Sequence, residues 1–474
     1  MDQQHLSSPP GTTVQRVLDI LALAAMALYG MECSVGSSGR WLQIGPISIR
    51  MILFALAFVL SLPRLWQMRR EVFRGKYLAL LVVYALWLGI CFFLGVRGGN
   101  RVSFAVADLT SLMGLALLPG FVATIATPKR AAWLSSGIFY ACAALSLAAV
   151  VIHLTIPLRL YSVTELNTWI NAHSLGGLAQ LTLGVQRVYF RSQIFCQVAI
   201  LIGLWRMIAK RGNFFLNWAA TALIVCSLVL SYTRGFWLGL AIGFVALFVL
   251  TFDYWKQYLK CIGCLALSFA VFLGVSWLVY QSPVASVAIL DRFDSRLVVL
   301  APKYESGQVL QPGDTANEDL DEASIEAVNL RAKTMGEQLS LCKQKPIQGW
   351  GLGKNLDGIR TDGKTEYTYY DMWMKTGLIG LALFLLVFFT HAGAYGLHWI
   401  GRLRRGAPKG AHRVLLDQPV GLAAVWVAAY ISVAATSYVN PFLTSPLGIA
   451  VLLMTAASVE LCLKASKGRW LLLK

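Results

Sequence analysis

The sequence predicts an all-α polytopic membrane protein of about twelve transmembrane helices, with one large external loop that itself contains a helix, and three observations predict it. Apolar residues make up 57% and charged residues 14% of the 474, with a mean hydropathy of +0.62, outside the range of soluble globular domains. Apolar runs of about 17 to 25 residues, the length that carries a helix across roughly 30 Å of hydrocarbon, recur at twelve places. Lys and Arg are concentrated in every second loop between those runs.

The runs lie at about 15–31, 44–62, 77–95, 104–126, 132–156, 192–209, 215–232, 235–252, 261–280, 371–397, 419–437 and 445–464. Ahead of the first, the polar start carries Pro9 and Pro10 and lacks the basic region and small-residue cleavage site of a signal peptide, so this span is expected to stay in the mature chain. The basic loops hold Arg64, Arg69, Arg70, Arg74 and Lys76, then Lys129 and Arg130, then Arg206, Lys210 and Arg211, and so on to Lys474. The intervening short loops are poor in both. By the positive-inside rule both termini are expected in the cytoplasm and residues 281–370 on the other side. The formal net charge of +18 is thereby assigned to membrane topology, and no nucleic-acid partner is expected.

The expected organisation is 1–280 with spans one to nine and a short external elaboration at 157–191, then the external loop 281–370, then 371–474 with spans ten to twelve. The elaboration contains residues 175–183, apolar enough for the interface but too short to cross. Within the large loop, residues 322–343 lack Pro and hold one glycine, Gly336; Ile325, Val328, Ala332, Met335 and Leu339 recur at helical spacing, so one face is expected to pack on the membrane domain. Pro346 ends that helix, and Gly349, Gly351 and Gly353 are expected to let the backbone approach a ligand closely. They form no nucleotide loop, because Asn355 follows Lys354 where Ser or Thr is needed.

Arg234 sits in Ser231-Tyr232-Thr233-Arg234-Gly235, a very tight external turn between two spans. Two accounts fit: snorkelling to headgroups, or a fork of donors that binds phosphate at the membrane surface. Arg187, Arg191 and Arg331 are the other external arginines with a route to such a site. Asp319 and Asp321 fit a solvated acidic stretch or a divalent-cation site. Of nine cysteines only Cys33 and Cys342 fall outside, and a disulfide between them stays open. Few buried ionisable residues are expected, Asp108 and His153, both near external ends of their spans, whereas proton-coupled transporters place such groups at mid-depth.

The turn Thr233-Arg234-Gly235-Phe236-Trp237-Leu238-Gly239, the late loop with Arg331 ahead of Pro346-Ile347-Gln348-Gly349-Trp350-Gly351-Leu352-Gly353, and the Tyr-rich approach to Lys375-Thr376-Gly377-Leu378-Ile379-Gly380 together resemble the O-antigen ligase and polymerase superfamily over roughly residues 187–385. The resemblance implies a metal-independent, cofactor-free glycosyltransferase of the bacterial inner membrane, working on the periplasmic side. Its donor would be a glycan on undecaprenyl diphosphate, and its acceptor a sugar hydroxyl on lipid A-core or on another lipid-linked glycan. The family's diphosphate-holding arginines map onto Arg234 and Arg331, with Arg187 and Arg191 in a region where many members carry arginine. Where ligases of the family usually place a histidine, about eleven residues before Gly377, this chain has Glu366. A glutamate is able to take a proton from a hydroxyl when burial raises its pKa. Ligase, polymerase and, from another class, a flippase for a lipid-linked glycan are the functions left in view.

Overall fold

The computed structural model describes residues 13–45, 47–69, 75–180, 186–280, 322–356, 367–404 and 419–467. Among the described residues, eight helices are long and apolar enough to cross a membrane by length and composition, and Phe214–Leu230, Arg234–Leu250 and Val420–Thr436 are shorter apolar helices. Seventeen-residue helices rise about 25 Å, the lower end of a crossing length.

The chain opens with α1 (Thr13–Val35), a short hairpin of β1 (Gln43–Ile44) and β2 (Ile47–Ser48), and α2 (Ile49–Gln67). Ser48 caps α2 by accepting from Met51 N. The α1–α2 connection is pinned by a buried ion pair, Arg50 Nε to Glu32 Oε2 at 2.6 Å, with Arg50 Nη2 donating to Ser37 O. After α3 (Lys76–Arg97), the expected fourth span is broken into α4 (Val102–Leu112), a tight turn Met113–Leu117, and α5 (Leu118–Thr124). The break has two causes: Pro119 has no N–H to continue the ladder, and Gly114 lies against Ile449 of a later helix, where any side chain would crowd.

Thr127 caps α6 (Pro128–Thr155), whose first position is proline, as helix starts favour. The elaboration that follows is α7 (Val163–Ala172) and a hairpin, β3 (Gly176–Gln180) antiparallel to β4 (Gln186–Phe190), with Ala179 opposite Arg187. The apolar stretch expected at an interface is thus partly a strand, and its pairing satisfies backbone groups that a lone extended segment would leave open. Next come α8 (Ile194–Ile208), α9 (Phe214–Leu230), α10 (Arg234–Leu250), α11 (Trp255–Tyr280), α12 (Glu322–Gln344), α13 (Thr368–Arg404), α14 (Val420–Thr436) and α15 (Pro446–Lys467).

The centre is made by α8, α14 and α15, buried along most of their length, while α3 and α11 turn large apolar residues such as Phe93, Leu267 and Leu278 outward. Small residues let the central helices approach closely. Gly239 and Gly243 of α10 abut Thr436 and Ser432 of α14, and Gly203 of α8 abuts Thr221 of α9. At the end away from α12, Arg206 donates to Asn217 Oδ1, Ser136 Oγ and Tyr140 OH, so one residue of the basic loops is also a structural tie.

Helix α12 spans Glu322–Gln344, close to the expected 322–343. Among its described side chains Thr334, Gln338 and Cys342 are buried, whereas Met335 and Leu339 of the expected stripe are half-buried. Ile325, Val328 and Ala332 of that stripe have side chains outside the described residues.

Candidate active site at the Arg234 turn

Helix α9 ends at Leu230, and Ser231 Oγ donates back to Leu228 O. Tyr232 then takes a left-handed backbone, φ 47°, a conformation that costs a bulky residue on the order of 1–3 kcal/mol and clusters at functional sites. Thr233 precedes α10 in the capping position, yet its hydroxyl does not cap the helix. It accepts instead from Arg187 Nη2 at 3.1 Å and lies 3.2 Å from Ser231 O. The first turn of α10 therefore has no side-chain cap, and its first residue is Arg234, half-buried. A helix start carries about +0.5 of an elementary charge, so an arginine placed on it makes a local field that favours an anion.

Arg187 reaches this turn from β4, with Nε donating to Ser231 O at 2.7 Å and the guanidinium 4.9 Å from the centre of the Tyr189 ring. Its strand is fixed from below by Gln193, which is fully buried. Gln193 Nε2 donates to Ser227 on α9 and its Oε1 accepts from Phe190 N. Arg191 follows the end of β4, opens the short turn Arg191–Gln193, and is exposed. Burial pushes the Tyr189 phenol above its usual value, and Arg187 and Arg191 beside it pull partly the other way.

The opposite wall is the connection from α14 to α15. Thr436 Oγ1 is 3.0 Å from Gly235 O, and Asn440 lies where a side chain on Gly235 would have to go. Thr368, at the start of α13, donates to Asn440 O. Three tyrosines meet here: Tyr367 is 6.3 Å from both Tyr370 and Tyr438, and Tyr370 and Tyr438 are 6.5 Å apart, ring centre to ring centre.

Of the arginines expected from sequence, the structure brings Arg187 and Arg234 to one turn and puts Arg191 just past the end of β4, at the start of the short turn Arg191–Gln193. Arg331 falls on α12, two turns before Gln338, and its side chain lies outside the described residues. Glu366 also lies outside them, as do Asp319 and Asp321; the neighbouring Tyr367 is buried against Tyr438. Cys33 and Cys342 are both free and buried.

The three glycines of the run after Pro346 approach backbone of the chain itself. Gly351, φ 83°, lies so close to Gly95 of α3 that a side chain on either would overlap the other strand of backbone. Trp350 N and Gly351 N donate to Met374 O and Lys375 O, and Asn100 Nδ2 donates to Trp350 O and Leu352 O. Gly377, φ 69°, breaks α13 where Ile347 O leaves no room for a Cβ. One buried cation locks the arrangement: Lys375 Nζ is 2.9 Å from Asp108 Oδ1 and 2.9 Å from Asp371 Oδ2, while Asp108 Oδ2 accepts from Gly353 N.

Buried ionisable groups are more numerous than the sequence indicated. Asp108 is half-buried, and besides His153 the buried ones include Glu32, Arg50, Lys375, His391 and Glu460. Glu32 pairs with Arg50, Lys375 with two aspartates, and His391 Nε2 is 3.2 Å from Glu460 Oε1. Hydropathy windows average such single residues away. Thr233, Gln193 and the tyrosine cluster also went unassigned, and only the density of tyrosine from 367 to 370 hinted at the last.

Residues 219–385, about a third of the chain, match the family model described as O-Antigen ligase. Over that region the chain is similar to the O-antigen ligase family. The matched region runs from α9 through the Arg234 turn, α12 and the glycine run to the first part of α13, so it encloses Arg234, Arg331 and Glu366. Glycan transfer at a membrane, in general terms, is the activity this O-antigen ligase domain supports. No curated protein matches the chain.

Proposed function

We propose that this protein transfers a glycan from undecaprenyl diphosphate to a sugar hydroxyl of lipid A-core at the periplasmic face of the bacterial inner membrane. The observation that carries the proposal is the convergence of Arg187 and Arg234 on the uncapped first turn of α10. Two guanidinium groups and a helix start offer a diphosphate more donors than one snorkelling arginine would. Their depth, at a turn between two apolar helices, suits the head of a carrier lipid.

The reaction is a single displacement that needs no metal. Glu366 takes the proton of the acceptor hydroxyl, the oxygen attacks the anomeric carbon, and the bond from that carbon to the diphosphate breaks with inversion. The electron pair leaves on the lipid diphosphate. Arg234, Arg187 and Arg331 stabilise that growing charge, an effect often worth about 3 to 4 kcal/mol per donor, and Arg191 adds to the field that draws the anion in.

Glu366 in the place of the family's usual histidine favours a second reading of the same chemistry, polymerisation of an O-antigen or exopolysaccharide on the carrier. A flippase fits less well, because the buried charges found among the described residues pair with one another and line no continuous route. Surface polysaccharide from a deletion strain separates the readings. Uncapped lipid A-core with stored long chains indicates ligation and single repeat units indicate polymerisation; an unchanged profile would count against both.

A further inference from the structure

Helices α9 and α11 stand side by side and run the same way, and both begin on the membrane face opposite the Arg234 turn. Trp218 Nε1 of α9 donates to Cys264 O of α11 at 3.3 Å, and toward the far end Val229 packs with Phe269 and Leu273. Four residues back from Trp218 and Cys264, Phe214 and Lys260 are level, so α11 projects more than a turn beyond the start of α9. That projection carries Lys256, level with the turn 209–213 that joins α8 to α9.

Side chains near the start of α11 are sorted by face. Tyr258, Cys261 and Phe272 are buried against the protein, whereas Lys256, Lys260, Gly263 and Leu267, spaced four, three and four, are exposed on the other side. A side chain on Gly263 would meet nothing within 4 Å. Helix α9 adds Phe214, Phe215 and Leu216, all exposed, with Phe215 at 70% and its ring 6.4 Å from that of Trp218. Lys210 joins from the turn, exposed and with φ 51°, a left-handed backbone unusual for lysine. Asn217 holds that turn in place: its Nδ2 donates to Arg211 O and its Oδ1 accepts from Arg206 Nε.

Three ammonium groups thus border an outward-facing apolar strip at the end of two spans, the depth where hydrocarbon gives way to headgroups. Counter-charge is scarce, since Asp253 is the single carboxylate side chain between Glu165 and Asp291. A free anion would use the lysines and leave the apolar strip bare, and a zwitterionic lipid brings no net charge; a phospholipid with an anionic head uses both. We propose that the starts of α9 and α11 form a site for one anionic phospholipid, its phosphate on Lys210, Lys256 and Lys260 and an acyl chain along Gly263 and Leu267 beside Phe215. The lipid braces α11, which buries only Tyr258, Cys261, Phe272 and Ser276 of its 26 residues. The site lies across the membrane from the Arg234 turn and does not depend on the glycan-transfer reading.

The test titrates the full chain in detergent with dioleoyl phosphatidylglycerol, dioleoyl phosphatidylethanolamine or inorganic phosphate. Native mass spectrometry reads bound lipid, and thermal unfolding reads packing. Lys256→Gln with Lys260→Gln removes the charges, and Lys256→Arg with Lys260→Arg keeps them. Lys129→Gln is the control, at the start of α6 on the same membrane face, since α6 ends beside the end of α11 where Tyr280 OH donates to His153 O. Expected is one phosphatidylglycerol on wild type, held about tenfold or more weakly by the double glutamine variant and unchanged in the other two. Phosphatidylglycerol should also raise the unfolding temperature of wild type more than that of the double glutamine variant. Equal affinity in wild type and the double glutamine variant, equally tight phosphatidylethanolamine, the same rise with phosphate alone, or weakening in the arginine or Lys129→Gln variants overturns the proposal. So does earlier unfolding of the lipid-free double glutamine variant, which would make the two lysines part of the packing.

Discussion

Arg187 and Thr233, 46 residues apart in the chain, meet at 3.1 Å from Nη2 to Oγ1. The contact takes the Thr233 hydroxyl away from its ordinary capping duty and brings a second guanidinium to the helix start that Arg234 occupies. Replacing Arg187 with Ala is expected to lower transfer about 10²- to 10³-fold, and Arg187→Lys about tenfold, since one ammonium cannot span Ser231 O and Thr233 Oγ1 together. Rates in membranes of equal protein content measure both.

Thr233→Val removes the acceptor for Arg187 while keeping the shape of the side chain. Transfer is expected to fall about tenfold, the value of one charge-assisted hydrogen bond. Thr233→Ser retains the oxygen and should stay within about twofold of wild type; equal loss in the two variants would mean that the methyl group, and not the hydroxyl, matters.

Much of this fold is legible in sequence because the bilayer demands long apolar runs, and eight helices among the described residues are long and apolar enough to cross. The break at Met113–Leu117 was not legible, since it depends on Gly114 meeting Ile449 more than three hundred residues later. The site was half legible. Arg234 stands out as a charge between two spans, but nothing local says that Arg187 folds back onto the same turn, because hairpin register decides it. Gly349, Gly351 and Gly353 were expected to bring backbone close to a ligand, but they pack against the chain's own backbone, a distinction that requires the tertiary packing of α3 and α13.

Lys375 offers a test of that packing. Lys375→Met leaves Asp108 and Asp371 facing each other in a largely buried place, and breaking a buried pair costs about 3 to 5 kcal/mol. Earlier thermal unfolding in detergent is expected, with partial recovery when Asp108→Asn and Asp371→Asn are added. No recovery would show that the charges themselves are not what the lysine compensates.

Burial pushes the Cys342 thiol up to about 12, with the Asp371 carboxylate adding to the shift. Raised pKa means less thiolate at a given pH: near pH 8 about one molecule in 10⁴ is ionised, against roughly a quarter for an ordinary cysteine. A maleimide that cannot cross membranes is therefore expected to leave Cys342 unlabelled at pH 8 in the folded protein, with labelling that grows as pH rises and becomes fast on denaturation. Prompt labelling at pH 8 would contradict the packing of α12 on α13.

Turnover by purified protein in defined vesicles addresses the central claim most directly. Given undecaprenyl-diphosphate-linked glycan and lipid A-core, wild type should yield the glycosylated product and free lipid diphosphate without added metal, and Arg234→Ala, equally stable to heat, should yield neither. Product formation by Arg234→Ala at the wild-type rate would contradict the account.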